Sequence, residues 1–347
     1  MAHSRPDLSI IIVSYNTRAL LRECLASLQE ASQEVSTEII VVDNASSDGS
    51  AEVVRTQFPQ VCLIANAENL GFGAGCNQGL KRASGRYALL LNADIRATEG
   101  ALKRLVAFMD THPEFVACGG QLRYPDGRIQ PSCASELTLW AVFCEQALLE
   151  KLFPRTRLFG RYWRTWWDFS STIETEQVMG ACLMLRRVGV EDTNLLPPPE
   201  RRGGSQTSVP PVYGGNLTEG GTLFQPPFPL FDEEYFLYCE DTDLCYRLRQ
   251  AGGKIAYVHD AVFIHHLGAS GAPRRAEMVI LYNRGKERFF RKFHGGAQAI
   301  ACYWLNQGGA LLRVGIGLVL TLLTLGRAPR FRAYLKTFWK VLGRKTH

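Results

Sequence analysis

Tyr87-Ala88-Leu89-Leu90-Leu91-Asn92-Ala93-Asp94 is an apolar run closed by two polar side chains. A run that is apolar throughout, with no alternation, predicts a strand buried on both faces. Working outward from it, Leu8-Ser-Ile-Ile-Ile-Val13, Ile39-Ile-Val-Val42 and Val61-Cys-Leu-Ile64 read the same way. Helical periodicity separates and follows these runs. Leu20, Leu21, Cys24, Leu25 and Leu28 mark one helix face, and Leu102, Leu105, Val106 and Met109 mark another. This alternation predicts an α/β chain with a mostly parallel, Rossmann-like sheet and helices on both faces. Ligands of such sheets bind at the carboxyl ends of the strands, so the polar clusters that follow each strand are the candidate site.

Composition sets the limits. The 347 residues are 46% hydrophobic and 21% charged, enough for a full globular core. The net charge of +6 is a property of one end. Arg327, Arg330, Arg332, Lys336, Lys340, Arg344 and Lys345 lie after Gly326 with no acid among them, which leaves the remainder near neutrality. A nucleic-acid role for the whole chain is therefore not implied. The ten cysteines form no C-x-x-C pair and lie mostly in apolar runs, as small buried hydrophobes of a reducing compartment do. Asn44-Ala-Ser46 and Asn216-Leu-Thr218 match the glycosylation pattern, which is common by chance. Leu8 to Val13 is too short for a secretory signal, so the expected compartment is the cytosol.

Further along, Trp163, Trp166 and Trp167 sit close to Asp168, and an apolar run covers Val178 to Leu185. The Pro- and Gly-rich stretch from Val190 to Pro229 lacks apolar periodicity and reads as a long inserted loop. Leu244, Leu248 and Ala251 then share a helix face that ends at Gly252-Gly253. From Gly309 to Leu325 the chain is apolar apart from Arg313, but the uncharged part, Val314 to Leu325, is only 12 residues. A bilayer span needs roughly 20. The reading is a helix in or dipping into the membrane interface, with the basic tail drawn to anionic lipid. Two alternatives stand beside it: a span with Arg313 snorkelling, and a core helix of the globular domain.

Four clusters carry the chemistry. Val13-Ser14-Tyr15-Asn16 follows the first strand, and Asp43-Asn44-Ala-Ser46-Ser47-Asp48-Gly49 follows the second. Asp43 can meet a pyrimidine imide edge or a ribose hydroxyl, or it simply ends its strand while Asp48 or Ser50 caps the next helix. Asn69-Leu-Gly71-Phe-Gly73-Ala-Gly75-Cys-Asn77 leads to Asn92-Ala93-Asp94. Its glycines do not have the spacing or the place of a dinucleotide fingerprint, and small residues here let the backbone approach a ligand. Asp94 at the crest of the sheet suits a hard cation on a diphosphate. In the fourth cluster, Phe231 to Leu244, the acids Glu240, Asp241 and Asp243 open a helix. Acids there offset the helix dipole, which accounts for Asp243, whereas a carboxylate after an aromatic-rich segment can also act as a general base on a sugar hydroxyl. His265 and His266 end the apolar run that starts at Val262, and either is a ligand candidate beside Asp94.

Taken in order, Ser9-Ile-Ile-Ile-Val-Ser-Tyr-Asn16, Ile40-Val-Val-Asp-Asn-Ala-Ser-Ser-Asp-Gly49, Asn69 to Asn77, Leu90-Leu-Asn-Ala-Asp94, Gly180-Ala-Cys-Leu-Met-Leu-Arg186, Phe231 to Leu244 and His265-His-Leu-Gly-Ala-Ser270 resemble glycosyltransferase family 2, in its bacterial rhamnosyltransferase-like branch with the GT-A fold. The similarity runs over about residues 7 to 295. It implies a GT-A domain over 1–295, comprising a nucleotide-sugar half at 7–130 and an acceptor and catalytic-base half at 131–295 with the 190–229 insertion. A helical, membrane-seeking tail over 296–347 would follow.

The same resemblance implies an inverting, metal-dependent transfer from a dTDP- or UDP-sugar, such as dTDP-rhamnose, to a glycan or lipid-linked acceptor. The expected place is the cytoplasmic face of the inner membrane. Asp241 would be the catalytic base, and Asp94 and His265 would hold Mg²⁺ or Mn²⁺. Asp43 would contact the donor base, and Ser14, Asn16, Asn69, Gly71, Asn77, Asn92, Gly180 and Glu240 would complete substrate binding. Two departures stand out: Asn92 occupies the first position of the D-x-D motif, as is frequent in this branch, and the insertion interrupts the link before Phe231. A nucleotidyltransferase, the nearest rival, would want a Gly-rich basic loop where Ser14-Tyr-Asn-Thr17 stands. A non-catalytic membrane scaffold would have no need of Asp94, Asp241 and His265 together.

Overall fold

The computed structural model describes residues 5–187, 216–217, 223–224, 228, 230–266, 275–324 and 327–343. The chain divides into two compact units. The first holds Met1–Glu136, Asp168–Phe236 and Glu240–Ala269; the second holds Leu137–Trp167, Leu237–Cys239 and Ser270–His347.

In the first unit the apolar runs form β1 (Leu8–Ser14), β2 (Thr37–Asp43), β3 (Cys62–Ala65) and β4 (Tyr87–Asn92). Between them lie α1 (Arg18–Ala31), α2 (Ser50–Gln57) and α3 (Phe72–Arg82). β1 pairs in parallel with β2 and with β4, and β2 in parallel with β3. Both faces of β1 are covered, as a run without alternation requires. Ile10 and Ile12 share a core with Leu21 and Leu25 of α1. Ile11 points the other way, against α3, where any Cβ on Gly79 would collide with it.

The unit continues through β5 (Ile95–Ala97), α4 (Ala101–Thr111), β6 (Phe115–Arg123), β7 (Ile129–Gln130) and β8 (Cys133–Ala134). The helices α5 (Leu139–Gln146) and α6 (Leu149–Leu152) belong to the second unit. The first then resumes with β9 (Ile173–Thr175), β10 (Gln177–Val178) and β11 (Cys182–Arg186). A hairpin of β12 (Asn216–Leu217) and β13 (Leu223–Phe224) is the described part of the predicted 190–229 insertion, with Phe228; its other residues lie outside the described ones. Last come α7 (Glu240–Gln250) and β14 (Lys254–His265). Gly252 takes φ +87° just past α7, the left-handed stop its sequence predicts.

The main sheet runs β3-β2-β1-β4-β11-β6-β14-β5. β11 is antiparallel to both β4 and β6, while β6 and β14 are parallel. The six strands β1–β4, β6 and β14 therefore end at one rim. β11 runs the other way, so its first residues lie there. β5, antiparallel to β14 with Ile95 opposite His265, also begins there. The expected α/β class with a mostly parallel sheet is the one observed, and its single reversed central strand is what brings Gly180 and Ala181 to the rim.

The second unit contains α5, α6, α8 (Arg275–His294), α9 (Gly296–Leu323) and α10 (Pro329–Leu342). α9 is 28 residues long and sufficient in length and apolarity to cross a membrane. It starts well before the apolar stretch read from Gly309, because Asn306 and Arg313 turn inward. Arg313 does not snorkel. Its guanidinium is buried and donates to the Gln146, Glu145 and Gly309 carbonyls at 2.8, 3.0 and 3.0 Å.

Candidate active site

The ends of β1, β2 and β4 lie side by side, with Ser14 opposite Asp43 and Val13 opposite Asn92. Asn16 has φ +54° and ties two loops together: its N–H donates to Ser46 Oγ at 2.9 Å, and its Oδ1 accepts from Ser47 N–H at 2.8 Å. Ser14 and Thr17 share a hydroxyl hydrogen bond of 2.9 Å. Asp43 is buried. One carboxylate oxygen accepts from Ser46 N–H at 3.0 Å, while Oδ1 is buried with no hydrogen-bond partner among the described residues. Buried polar atoms are almost always paired, so this oxygen is available to a ligand. The capping role belongs to Asp48, which accepts from Ser50 N–H at 3.0 Å and from the first N–H of α1, that of Arg18, at 2.8 Å.

The glycine-rich segment is built for close approach. Asn69 Oδ1 accepts from Gly71 N–H at 3.0 Å, and Asn44 Nδ2 donates to Gly71 O at 2.9 Å. Gly71 has φ +89°, and a Cβ there would strike the Phe236 carbonyl. Asn77 is fully engaged by protein: it accepts from Phe231 N–H at 2.8 Å and donates to Phe231 O and Glu233 Oε1 at 3.0 and 2.8 Å. Its observed work is to fasten the 231–233 loop to α3.

Asp94 and His265 meet at the rim. His265 Nε2 lies 3.2 Å from Asp94 Oδ1, and both side chains are largely buried. The other ring nitrogen, Nδ1, lies 3.0 Å from Gln130 Oε1. This contact fixes the ring so that Nε2 is turned to Asp94. His266 differs. Its backbone N–H donates to Asp94 O at 2.9 Å, and its ring Nε2 is buried without a partner among the described residues. Gly268 and Ser270, the remainder of the motif after His265, lie outside the described residues.

Asp241 sits one residue into α7. Its Oδ2 accepts from Gly180 N–H at 2.8 Å and its Oδ1 from Thr242 N–H at 2.8 Å. Gly180 suits this approach, since even a Cβ there would lie 3.3 Å from both Asp241 and Phe72. The next residue, Ala181, accepts from Asn92 N–H at 3.0 Å, so a short chain of bonds links Asp241 to the strand that carries Asn92 and Asp94. Burial pushes the Asp241 carboxyl above its usual 3.8, opposed by the Gly180 and Thr242 N–H groups. Burial pushes Glu240 well above 4.5, with the charge of Asp241 adding to it, and Glu240 Oε2 has no partner among the described residues. Asp243 has the structural role expected of it, bonding the buried Arg247 at 2.6 Å.

Ser14, Asp43, Asn92, Asp94, Gly180, Asp241 and His265 thus share one rim of one sheet. Sequence reading missed Gln130 and the Gly180–Asp241 bond. Gln130 had no strand-end signature, since it sits in a two-residue strand beside the end of β6. Among the described residues no group of three or more His, Cys, Asp or Glu side chains is close enough to hold a metal ion. Asp94 and His265 fit a divalent cation that draws its remaining ligands from a diphosphate and water, the arrangement Mg²⁺ commonly adopts.

Residues 9–163 match Glycosyl transferase family 2. Over 321 residues the chain is 25% identical to an N-acetylglucosaminyl-diphospho-decaprenol L-rhamnosyltransferase of Mycobacterium tuberculosis, covering 88% of this chain and 91% of that protein. It is 29% identical over 132 residues to glycosyltransferase AglE of Haloferax volcanii, covering 37% of this chain and 43% of the relative. Among solved structures, a mannosyltransferase of Pyrobaculum calidifontis in complex with GDP-Man and Mn²⁺ aligns with a TM-score of 0.49 at 17% identity, covering 98% of this chain and 86% of that one.

Proposed function

From the match of residues 9–163 to glycosyl transferase family 2 and the likeness to the mycobacterial rhamnosyltransferase, we propose that the chain is a member of that family and moves a sugar from a nucleoside-diphosphate donor to an acceptor hydroxyl by single displacement with inversion. The observation that carries this is the Asp241 carboxylate, oriented by two N–H groups at the rim where Asp94 and His265 meet. Asp241 takes the acceptor proton as the oxygen attacks the anomeric carbon. Burial favours this role, because a carboxylate above its usual range is a better base.

Asp43, with one unpartnered buried oxygen, accepts from the donor's base or ribose. Ser14, Asn16, Asn69, Gly71 and Asn92 shape the donor cleft, and Glu240 faces substrate beside the base. Asn77 acts through the loop it fastens. Asp94 and His265 would hold Mg²⁺ or Mn²⁺, and Gln130 keeps the His265 ring turned for it. When bound, such a cation supplies positive charge to the departing diphosphate.

The mycobacterial relative's name supports rhamnose as the sugar and a polyprenyl-diphosphate-linked sugar as the acceptor. A lipid-linked acceptor would in turn place the reaction at the cytoplasmic face of a membrane. The test uses purified full chain, a panel of dTDP-, UDP- and GDP-sugars and a polyprenyl-diphosphate N-acetylglucosamine acceptor. Transfer is expected, with Asp241→Asn losing on the order of 10²-fold or more while donor-induced thermal stabilisation persists. Full turnover and unchanged metal dependence in Asp94→Ala would remove that residue from the site. Absence of any nucleotide-dependent stabilisation would sink the enzymatic reading.

A further inference from the structure

Among the described residues, the second unit carries 15 of the 16 large exposed hydrophobic side chains, the exception being Phe236. Most of them belong to α9, and their distribution on that helix inverts the usual order. From Ile300 to Leu323 every exposed residue of α9 is apolar or glycine, with Ile300, Trp304, Leu311, Leu318 and Leu322 repeating at helical spacing. Trp304 is 66% exposed and Leu322 73%.

Asn306 and Arg313 of α9 face inward instead. Asn306 donates to Glu287 Oε1 at 2.7 Å and accepts from Gln146 Nε2 at 3.1 Å, and Arg313 is held by the carbonyl end of α5. Nearby, the fully buried Lys286 of α8 pairs with Glu145 at 2.9 Å. A helix bathed in water turns its polar face outward. One that meets hydrocarbon turns its polar groups toward protein partners, as Asn306 and Arg313 of α9 do.

The neighbouring helix decides how such a surface meets a bilayer. Phe338 and Val341 of α10 pack on Ala310 and Val314 of α9, and a Cβ on Gly317 would lie 3.2 Å from Leu335. The two helices therefore run side by side. The exposed face of α10 carries Arg330, Arg332, Lys336 and Lys340, with Trp339 67% exposed. Were α9 to cross the bilayer, these cations would be carried into its hydrocarbon. Lying flat satisfies both faces: α9 touches acyl chains, and α10 meets phosphate headgroups.

We propose that the α9–α10 hairpin seats the protein on one leaflet of an anionic bilayer, with α9 lying in the membrane plane rather than spanning it. The proposal deepens the membrane side of the functional reading and does not depend on sugar transfer.

The test is flotation of the purified full chain with phosphatidylcholine vesicles, with and without 30% phosphatidylglycerol, alongside depth measurements. Wild type is expected to float with the anionic vesicles. Leu311→Glu/Leu318→Glu should lose at least tenfold in partition while keeping its helical circular dichroism, and Lys336→Glu/Lys340→Glu should lose the preference for anionic lipid. For depth, nitroxides are attached at Ile300→Cys, Leu311→Cys and Leu322→Cys in a Cys62→Ser background, the other nine native thiols being buried. An in-plane helix puts all three labels at similar depth, whereas a crossing helix separates the first two by about 16 Å.

A graded depth profile overturns the proposal. So does a wild type that floats no better than Leu311→Glu/Leu318→Glu, or one that forms a dimer in solution and does not float. Donor-induced stabilisation is scored separately: a flat donor response with intact flotation counts against the functional reading alone, and lost flotation with intact donor response counts against this proposal alone.

Discussion

Glu240 is buried next to a second carboxylate and has one oxygen without a partner among the described residues. Its folded-state proton affinity is raised by burial first and by Asp241 second. The folded protein then binds more protons than the unfolded chain once pH exceeds the ordinary 4.5, so stability falls as pH rises through that window. Glu240→Gln removes the penalty. At pH 7.5 it should raise stability by on the order of 1–3 kcal/mol, the cost of leaving a buried charged group unpaired. The gain should shrink as pH approaches 4.5; equal melting shifts at both pH values would contradict this. Gln130 makes a different prediction. Losing the Nδ1 contact frees the His265 ring to rotate, so Gln130→Ala should weaken Mn²⁺ binding by about 10-fold or more. Spin-resonance titration of free Mn²⁺ in the presence of nucleoside diphosphate measures it without reference to turnover, and an unchanged affinity would return Gln130 to a purely structural role.

At the level of elements, the loop before α3 depends on one backbone conformation. Gly71 combines φ +89° with contact against the Phe236 carbonyl, so any side chain there is strained and also collides with backbone. Gly71→Ala should destabilise the protein by about 1–3 kcal/mol and weaken donor binding, with thermal melts in the presence and absence of nucleotide separating the two effects. β11 shows what element direction contributes. Its apolar run from Cys182 was legible, but nothing local reports that it runs opposite to β4, and that reversal is what delivers Gly180 to Asp241. The second unit repeats the lesson. The uncharged part after Arg313 is 12 residues in sequence, whereas a helix of 28 residues forms, with its inward Asn306 and Arg313 bonded to α5 and α8. Each of the four outward cations of α10 would cost about 2.5–3.5 kcal/mol at a bilayer centre, enough to favour the in-plane arrangement over a span.

On the scale of the molecule, transfer should carry the signature of a buried base. As the proposed base, Asp241 must be deprotonated to take the acceptor proton, and its carboxyl lies above the usual 3.8. Between about pH 4 and 8, kcat/KM should therefore climb with pH along an acid limb displaced above that of an exposed aspartate, and the limb should vanish in the residual activity of Asp241→Asn. A profile flat across that range would remove Asp241 as the base. The strand and helix alternation, the rim of the candidate site, and the aspartates at strand ends were all determined by sequence, because each follows from periodicity and end chemistry within a few neighbouring residues. Tertiary structure alone decided that His265 rather than His266 turns its ring to Asp94. It alone brought Gln130 to that ring from 135 positions away, set Gly180 against Asp241 across 61, and turned Asn306 and Arg313 of α9 inward. Those outcomes depend on which distant backbones become neighbours in the packed fold, and such contacts leave no periodic trace along the chain.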